Sequence, residues 1–183
     1  MKPFSIGSET LTADLIRHIL DNHIPLALDP SAETAITRSR TYPHGKLAAS
    51  EAPIYGINTG FGYLQNIGIP AEDLTQLQHN LLLSHACGTG GHVPREIVRI
   101  MLLLKVQSLS CGHSGVTLET VNRLIRMFND DVLPVVYTQG SLGASGDLAP
   151  LAHLALPLIG AGEVWIDGEI RTCQEWYEPA GLK

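Results

Sequence analysis

Apolar residues recur at helical spacing in five stretches of the chain. After Thr12, a side chain suited to cap a helix, come Leu15, Ile16, Ile19 and Leu20. From Pro30 to about Ala49 a weaker stripe of Ala32, Ala35 and Ile36 predicts a second helix. Pro70 opens a third, with Leu74, Leu77, Leu81 and Leu82 on one face, and Pro94 a fourth, because proline is favoured at the first helical position. The fourth carries Ile97, Ile100, Met101, Leu102, Leu103, Leu104 and Val106. It is apolar nearly all round, which predicts a place inside a bundle, and Gly112 supplies its stop. Thr117 then caps Leu118, Val121, Leu124, Ile125 and Phe128. Strand patterns are few. Glu163 to Ile170 reads as a hairpin turning at Asp167-Gly168, and Phe4 and Ile6 alternate with polar residues. The fold class is mainly α, with small β-hairpin decorations.

Composition narrows the class. The 183 residues hold 12 Lys+Arg against 18 Asp+Glu, a formal net charge of -6, and 44% are hydrophobic. So apolar a chain can bury a core, and its acidic balance argues against nucleic-acid binding. The most apolar stretch, Leu148 to Trp165, is broken by His153, two prolines and Glu163, short of the roughly 18 unbroken apolar residues of a membrane span. Three scattered cysteines, Cys87, Cys111 and Cys173, suggest neither a disulfide framework nor a zinc site. With no apolar leader after Met1, a reducing, cytoplasmic location is expected. No histidine cluster at ligand spacing points to a metal.

Two glycine-rich segments stand outside the helical pattern: Tyr55-Gly56-Ile57-Asn58-Thr59-Gly60-Phe61-Gly62 and Gly140-Ser141-Leu142-Gly143-Ala144-Ser145-Gly146-Asp147. The second can be a turn followed by a helix capped by Asp147. A serine-hydrolase elbow fails, because the second residue after Ser145 is Asp147 and not glycine. A phosphate loop fails for want of its Gly-Lys-Ser/Thr ending. The tripeptide also has covalent chemistry of its own. The amide nitrogen of Gly146 can attack the carbonyl carbon of Ala144 and close a five-membered ring through Ser145. Loss of the carbonyl oxygen and of the Ser145 hydroxyl, each as water, leaves an electrophilic alkene. Gly146 has no Cβ to obstruct the nitrogen, Ala144 is small, and Ser145 carries the leaving hydroxyl. A fold that holds such a bend stores strain at a functional site.

The fourteen-residue run Gly140 to His153 closely resembles the signature of the aromatic amino acid ammonia-lyases. The Tyr55–Gly62 segment resembles that family's tyrosine loop, and Leu77 to Gly88, with Ser84-His85-Ala86, resembles the intervening helix of its histidine-specific branch. The resemblance covers essentially the whole chain. It implies a 4-methylidene-imidazol-5-one formed autocatalytically from Ala144-Ser145-Gly146, with no metal and no nucleotide. It implies removal of ammonia from L-histidine to give trans-urocanate. Tyr55 takes the position of the base for the β-proton. A free phenol ionises only near pH about 10, so such a site must favour the phenolate. His85 takes the substrate-recognising position, and a histidine there suits an imidazole or phenol better than a phenyl ring. Asn58 and Gly62 are expected at the substrate, Thr59 and Gly60 in the loop that covers it, and Asp147 beside the ring-forming backbone. His153 is expected as a packed residue beneath the ring.

The resemblance further implies a homotetramer for the full-length protein, with neither membrane nor nucleic acid as partner. Relatives of this kind continue into a long helical bundle that supplies the arginine for the substrate carboxylate and a second tyrosine. Residues 1–183 therefore read as the N-terminal, ring-bearing domain without that bundle, weakly active or inactive alone and, with the fourth helix uncovered, prone to self-associate. Three alternatives stand beside this reading: a tyrosine or phenylalanine ammonia-lyase, an aminomutase of the same family, and a non-catalytic helical interaction fragment.

Overall fold

The computed structural model describes residues 2–7, 9–49, 52–142 and 148–181, with backbone alone at 44 and 46–49. In chain order its elements are β1 (Phe4–Ile6), α1 (Ala13–Asp21), β2 (Leu26–Leu28), α2 (Pro30–Ala49), α3 (Leu74–His85), β3 (Thr89–His92), α4 (Arg95–Ser110), α5 (Leu118–Asn129), β4 (Leu133–Pro134), β5 (Tyr137–Gln139), α6 (Ala149–Ala155), β6 (Glu163–Ile166), β7 (Glu169–Thr172) and α7 (Gln174–Ala180). The mainly α expectation holds.

Local chemistry explains the helix starts. Thr12 Oγ1 accepts from the Leu15 amide at 3.2 Å, and Thr117 Oγ1 from the Thr120 amide at 3.2 Å. Each side chain satisfies an amide that the first turn leaves without an intrahelical partner. The prolines sit one step earlier than expected. Pro94 is the N-cap of α4, and Pro70 caps a 3-10 turn, Ala71–Asp73, that precedes α3. An N-cap amide needs no intrahelical partner either, so the missing N–H of proline costs nothing there. The hairpin forms as predicted, β6 pairing with β7 across Asp167 and Gly168, both at positive φ (52° and 84°).

Among the described residues three small sheets fasten the helices. β1 and β2 pair in parallel, β3 and β5 antiparallel, and β4, β6 and β7 form a three-stranded antiparallel sheet. The core centres on α4 and α5, where Val98, Leu102, Leu103 and Val106 join a buried cluster with Val121, Leu124 and Phe128. α4 departs from its all-round burial. One face packs against α5, α2, β4 and β1, whereas Ile97 and Leu104 remain 48% and 46% exposed on the other. The neighbouring layers cover one side of this helix only. Among the described residues no helix is long and apolar enough to cross a membrane.

Asn129 joins α5 to β2. Its side chain accepts from the Leu26 amide at 2.8 Å and donates to the Leu26 carbonyl at 2.9 Å, completing both backbone groups of one strand residue. Removing it strands a partly buried donor and acceptor. Asn129→Ala should lower the urea-unfolding free energy by about 1–3 kcal/mol. Arg17→Ala, which removes only an exposed 3.8 Å pair with Asp14, should change it by less than about 0.5 kcal/mol.

Candidate active site

The tyrosine loop folds on its own side chains. Asn58 Oδ1 accepts from the Ile54 amide at 2.6 Å, Asn58 Nδ2 donates to Ala52 O at 3.4 Å, and the Asn58 carbonyl accepts from Ile69 N at 2.8 Å. Thr59, 1% exposed, donates its hydroxyl to Gly60 O at 2.9 Å and accepts from the Gly56 amide at 3.3 Å. The Gly60 amide closes the neck on Ile67 O at 3.0 Å. The polar side chains at 58 and 59 thus hold the loop backbone, and Tyr55 rides outside it, 62% exposed. Its hydroxyl accepts from the Gly62 amide at 3.4 Å, and its ring stands edge-on to Phe61 with centroids 6.0 Å apart.

His85 ends α3, and the end of the helix decides its tautomer. Its Nδ1 lies 2.9 Å from the Leu81 carbonyl, which can only accept, so Nδ1 carries the proton. Neutral His85 then has Nε2 as an acceptor. Ser84 donates to the same carbonyl at 3.0 Å and stands 3.1 Å from Nδ1, bracing the ring.

Beyond His85 the chain passes Gly88, and there the third motif meets the second. A Cβ on Gly140 would fall 2.9 Å from the Gly88 Cα, and a Cβ on Gly88 would fall 2.8 Å from His153 Nε2. The two glycines let the backbone after α3 touch the start of the Gly140–Asp147 segment while α6 packs beneath. Pairing of β3 with β5, from Thr89 opposite Gln139 onward, fixes this register. His153 is buried, at 8% exposed. Ala144, Ser145, Gly146 and Asp147 themselves lie outside the described residues.

The sequence did not mark two features. One is the Gly88–His153 bond, which joins residues 65 apart and leaves no local trace. The other is a cavity of about 460 Å³ behind the loop, lined among others by Gly56 and Ile57, Thr75 and Gln78 of α3, Arg40 of α2 and Thr120 of α5. Arg40 donates to Gly115 O at 3.1 Å at its rim. Neither Tyr55 nor His85 lines it. Among the described residues no three His, Cys, Asp or Glu side chains gather to hold a metal ion.

Residues 11–183 match the aromatic amino acid lyase family, and the chain belongs to it. It is 52% identical over 155 residues to a histidine ammonia-lyase of Deinococcus radiodurans, covering 85% of this chain and 29% of that protein. The solved histidine ammonia-lyase of Trypanosoma cruzi superposes with a TM-score of 0.84 at 32% identity, over 97% of this chain and 34% of the other. A tyrosine aminomutase from Streptomyces globisporus gives 0.89 at 30% identity, over 100% and 34%. The chain thus spans about a third of the length of these relatives.

The loop neck is open to test. A Cβ at Gly60 would fall 2.6 Å from Leu64 Cβ and 2.9 Å from Leu64 O, whereas one at Gly68 would meet nothing within 4 Å. Gly60→Ala should therefore open residues 54–69 to limited proteolysis, and Gly68→Ala should leave the cleavage rate unchanged.

Proposed function

We propose that this chain contributes the electrophile and the base of a carbon–nitrogen lyase that converts L-histidine to trans-urocanate and ammonia. The observation that carries the reading is the meeting of two motifs, in which the Gly140 segment abuts the backbone that follows His85; a separate loop carries Tyr55 as an exposed phenol. The residues fit a 4-methylidene-imidazol-5-one. The reactive tripeptide is small-Ser-Gly, and the segment begins at a glycine, Gly140, at φ 130° with no room for a side chain. Such a ring, held by Ala144, Ser145 and Gly146, supplies an electrophile that makes the amine a better leaving group and the β-proton more acidic.

The remaining roles fall to this chain's own groups. Tyr55 receives the β-proton on its phenolic oxygen, to which the Gly62 amide donates. His85 accepts an imidazole N–H through Nε2, its Nδ1 being committed to Leu81 O. Asn58, Thr59 and Gly60 keep the loop in shape, Gly62 serves through its amide, and Asp147 supports the ring-forming backbone. In this reading residues 1–183 are the ring-bearing domain. Additional polypeptide grips the substrate carboxylate, and the whole works as a cytoplasmic homotetramer. The likeness to a tyrosine aminomutase supports a second reading, in which the same ring and tyrosine serve an amino-group shift.

A chimera carrying this chain in place of the matching region of the Deinococcus radiodurans enzyme separates these readings. With histidine, tyrosine and phenylalanine offered side by side, it should form urocanate from histidine. Ser145→Ala should abolish this, and Tyr55→Phe should lower turnover by about 10²–10⁴-fold. A folded chimera that makes no urocanate, or that turns tyrosine into a β-amino acid, contradicts the proposal.

A further inference from the structure

His153 Nε2 accepts the Gly88 amide proton at 2.9 Å, so it is the unprotonated ring nitrogen, and in the neutral ring the proton sits on Nδ1. Gly88 lies three residues beyond His85. Its Cα is the atom that a side chain on Gly140 would strike, at 2.9 Å. One histidine nitrogen therefore holds the backbone between the substrate-recognising helix end and the first residue of the reactive segment. We propose that His153 is a positioning residue whose bare Nε2 latches the His85 end of α3 against the Gly140 segment, and that protonating it releases the latch. The functional half of this inference rests on the lyase reading; the latch itself does not.

The surroundings favour the bare nitrogen. Burial lowers the His153 pKa below the ordinary histidine value. Tyr137 of β5 stacks edge-on to its ring at 5.1 Å. Behind Tyr137 stand His92 of β3, with centroids 5.2 Å apart, and Glu163 of β6, whose carboxylate accepts the Tyr137 hydroxyl at 3.1 Å. Burial first, and then that carboxylate, raise the Tyr137 pKa, so its hydroxyl stays protonated. α3 brings His79 and His85, and Cys87 adjoins Gly88. The rest of α6, the 3-10 turn Leu156–Ile159 and β4 carry no titratable side chain. A proton on Nε2 would place two N–H donors face to face at the Gly88 contact, which removes the bond.

The sign follows from the lowered pKa. The folded state resists protonation that the unfolded chain accepts near pH about 6.5, so the latch's contribution is complete above that value. It is lost as pH falls from there through the lower folded value.

Nitrogen and proton NMR of the whole chain tests this. In the wild type, the His153 ring should show the Nδ1–H tautomer. Its titration and the shift of the Gly88 amide should share one midpoint below about 6.5. At neutral pH, His153→Phe should raise Gly88 amide exchange by about tenfold, the size of one lost hydrogen bond. His153→Gln, whose side-chain oxygen can accept from Gly88 but does not titrate, should keep the protection and abolish the pH response. A Gly88 amide that ignores the His153 titration overturns the proposal, even where the Phe variant fails to fold, and so does unchanged protection in a folded Phe variant. A chimera without lyase activity, in a chain whose Gly88 follows His153, removes the lyase reading and leaves the latch standing.

Discussion

Everything about the site depends on how closely two stretches of backbone can approach. Gly88 and Gly140 touch because neither has a side chain, and the contact lasts because the Gly88 amide has His153 Nε2 to donate to. Without that acceptor the amide would sit against a buried ring with its proton unmatched, at a cost of about 1–3 kcal/mol. Closing the contact brings the end of α3, the β3–β5 pair and the first turn of α6 to one place. In sequence, Ala144-Ser145-Gly146 falls between β5 and α6, two elements of that cluster.

The tyrosine loop solves a different problem. It must hold an irregular backbone with little core beneath it, so it spends Asn58 and Thr59 on its own amides and carbonyls. Tyr55 is among the side chains it offers outward, together with Tyr63, Leu64 and Ile67. Polar side chains thus replace the ladder hydrogen bonds that a loop lacks.

Elements with a local cause were legible in the residues. Thr12 and Thr117 announce helix starts because a cap acts within three residues, and Asp167-Gly168 announces a hairpin because two consecutive positive φ angles need such a pair. Elements made by distant partners were not. β1 alternates in the sequence, but nothing local says that it pairs in parallel with β2, or that Asn129 from α5 completes that strand. The same distinction runs through the site. Tyr55, His85 and the Ala144–Gly146 tripeptide stand out as motifs. That Asn58 is committed to Ile54, and His153 to Gly88, emerges only when the chain is folded. The apolar wrap of α4 was visible too, yet periodicity alone could not say that one side would be covered and Leu104 left open.

The central claim is that the bend at Ala144-Ser145-Gly146 turns into an electrophile by losing water. The most direct measurement is the mass of the proteolytic peptide spanning Gly140 to Asp147, taken from the folded chimera, with Ser145→Ala as the reference for an unreacted backbone. The account predicts a peptide lighter than its sequence by two water molecules, and a reference peptide without that loss. A wild-type peptide at its full sequence mass, with the Ser145 hydroxyl intact, would contradict it.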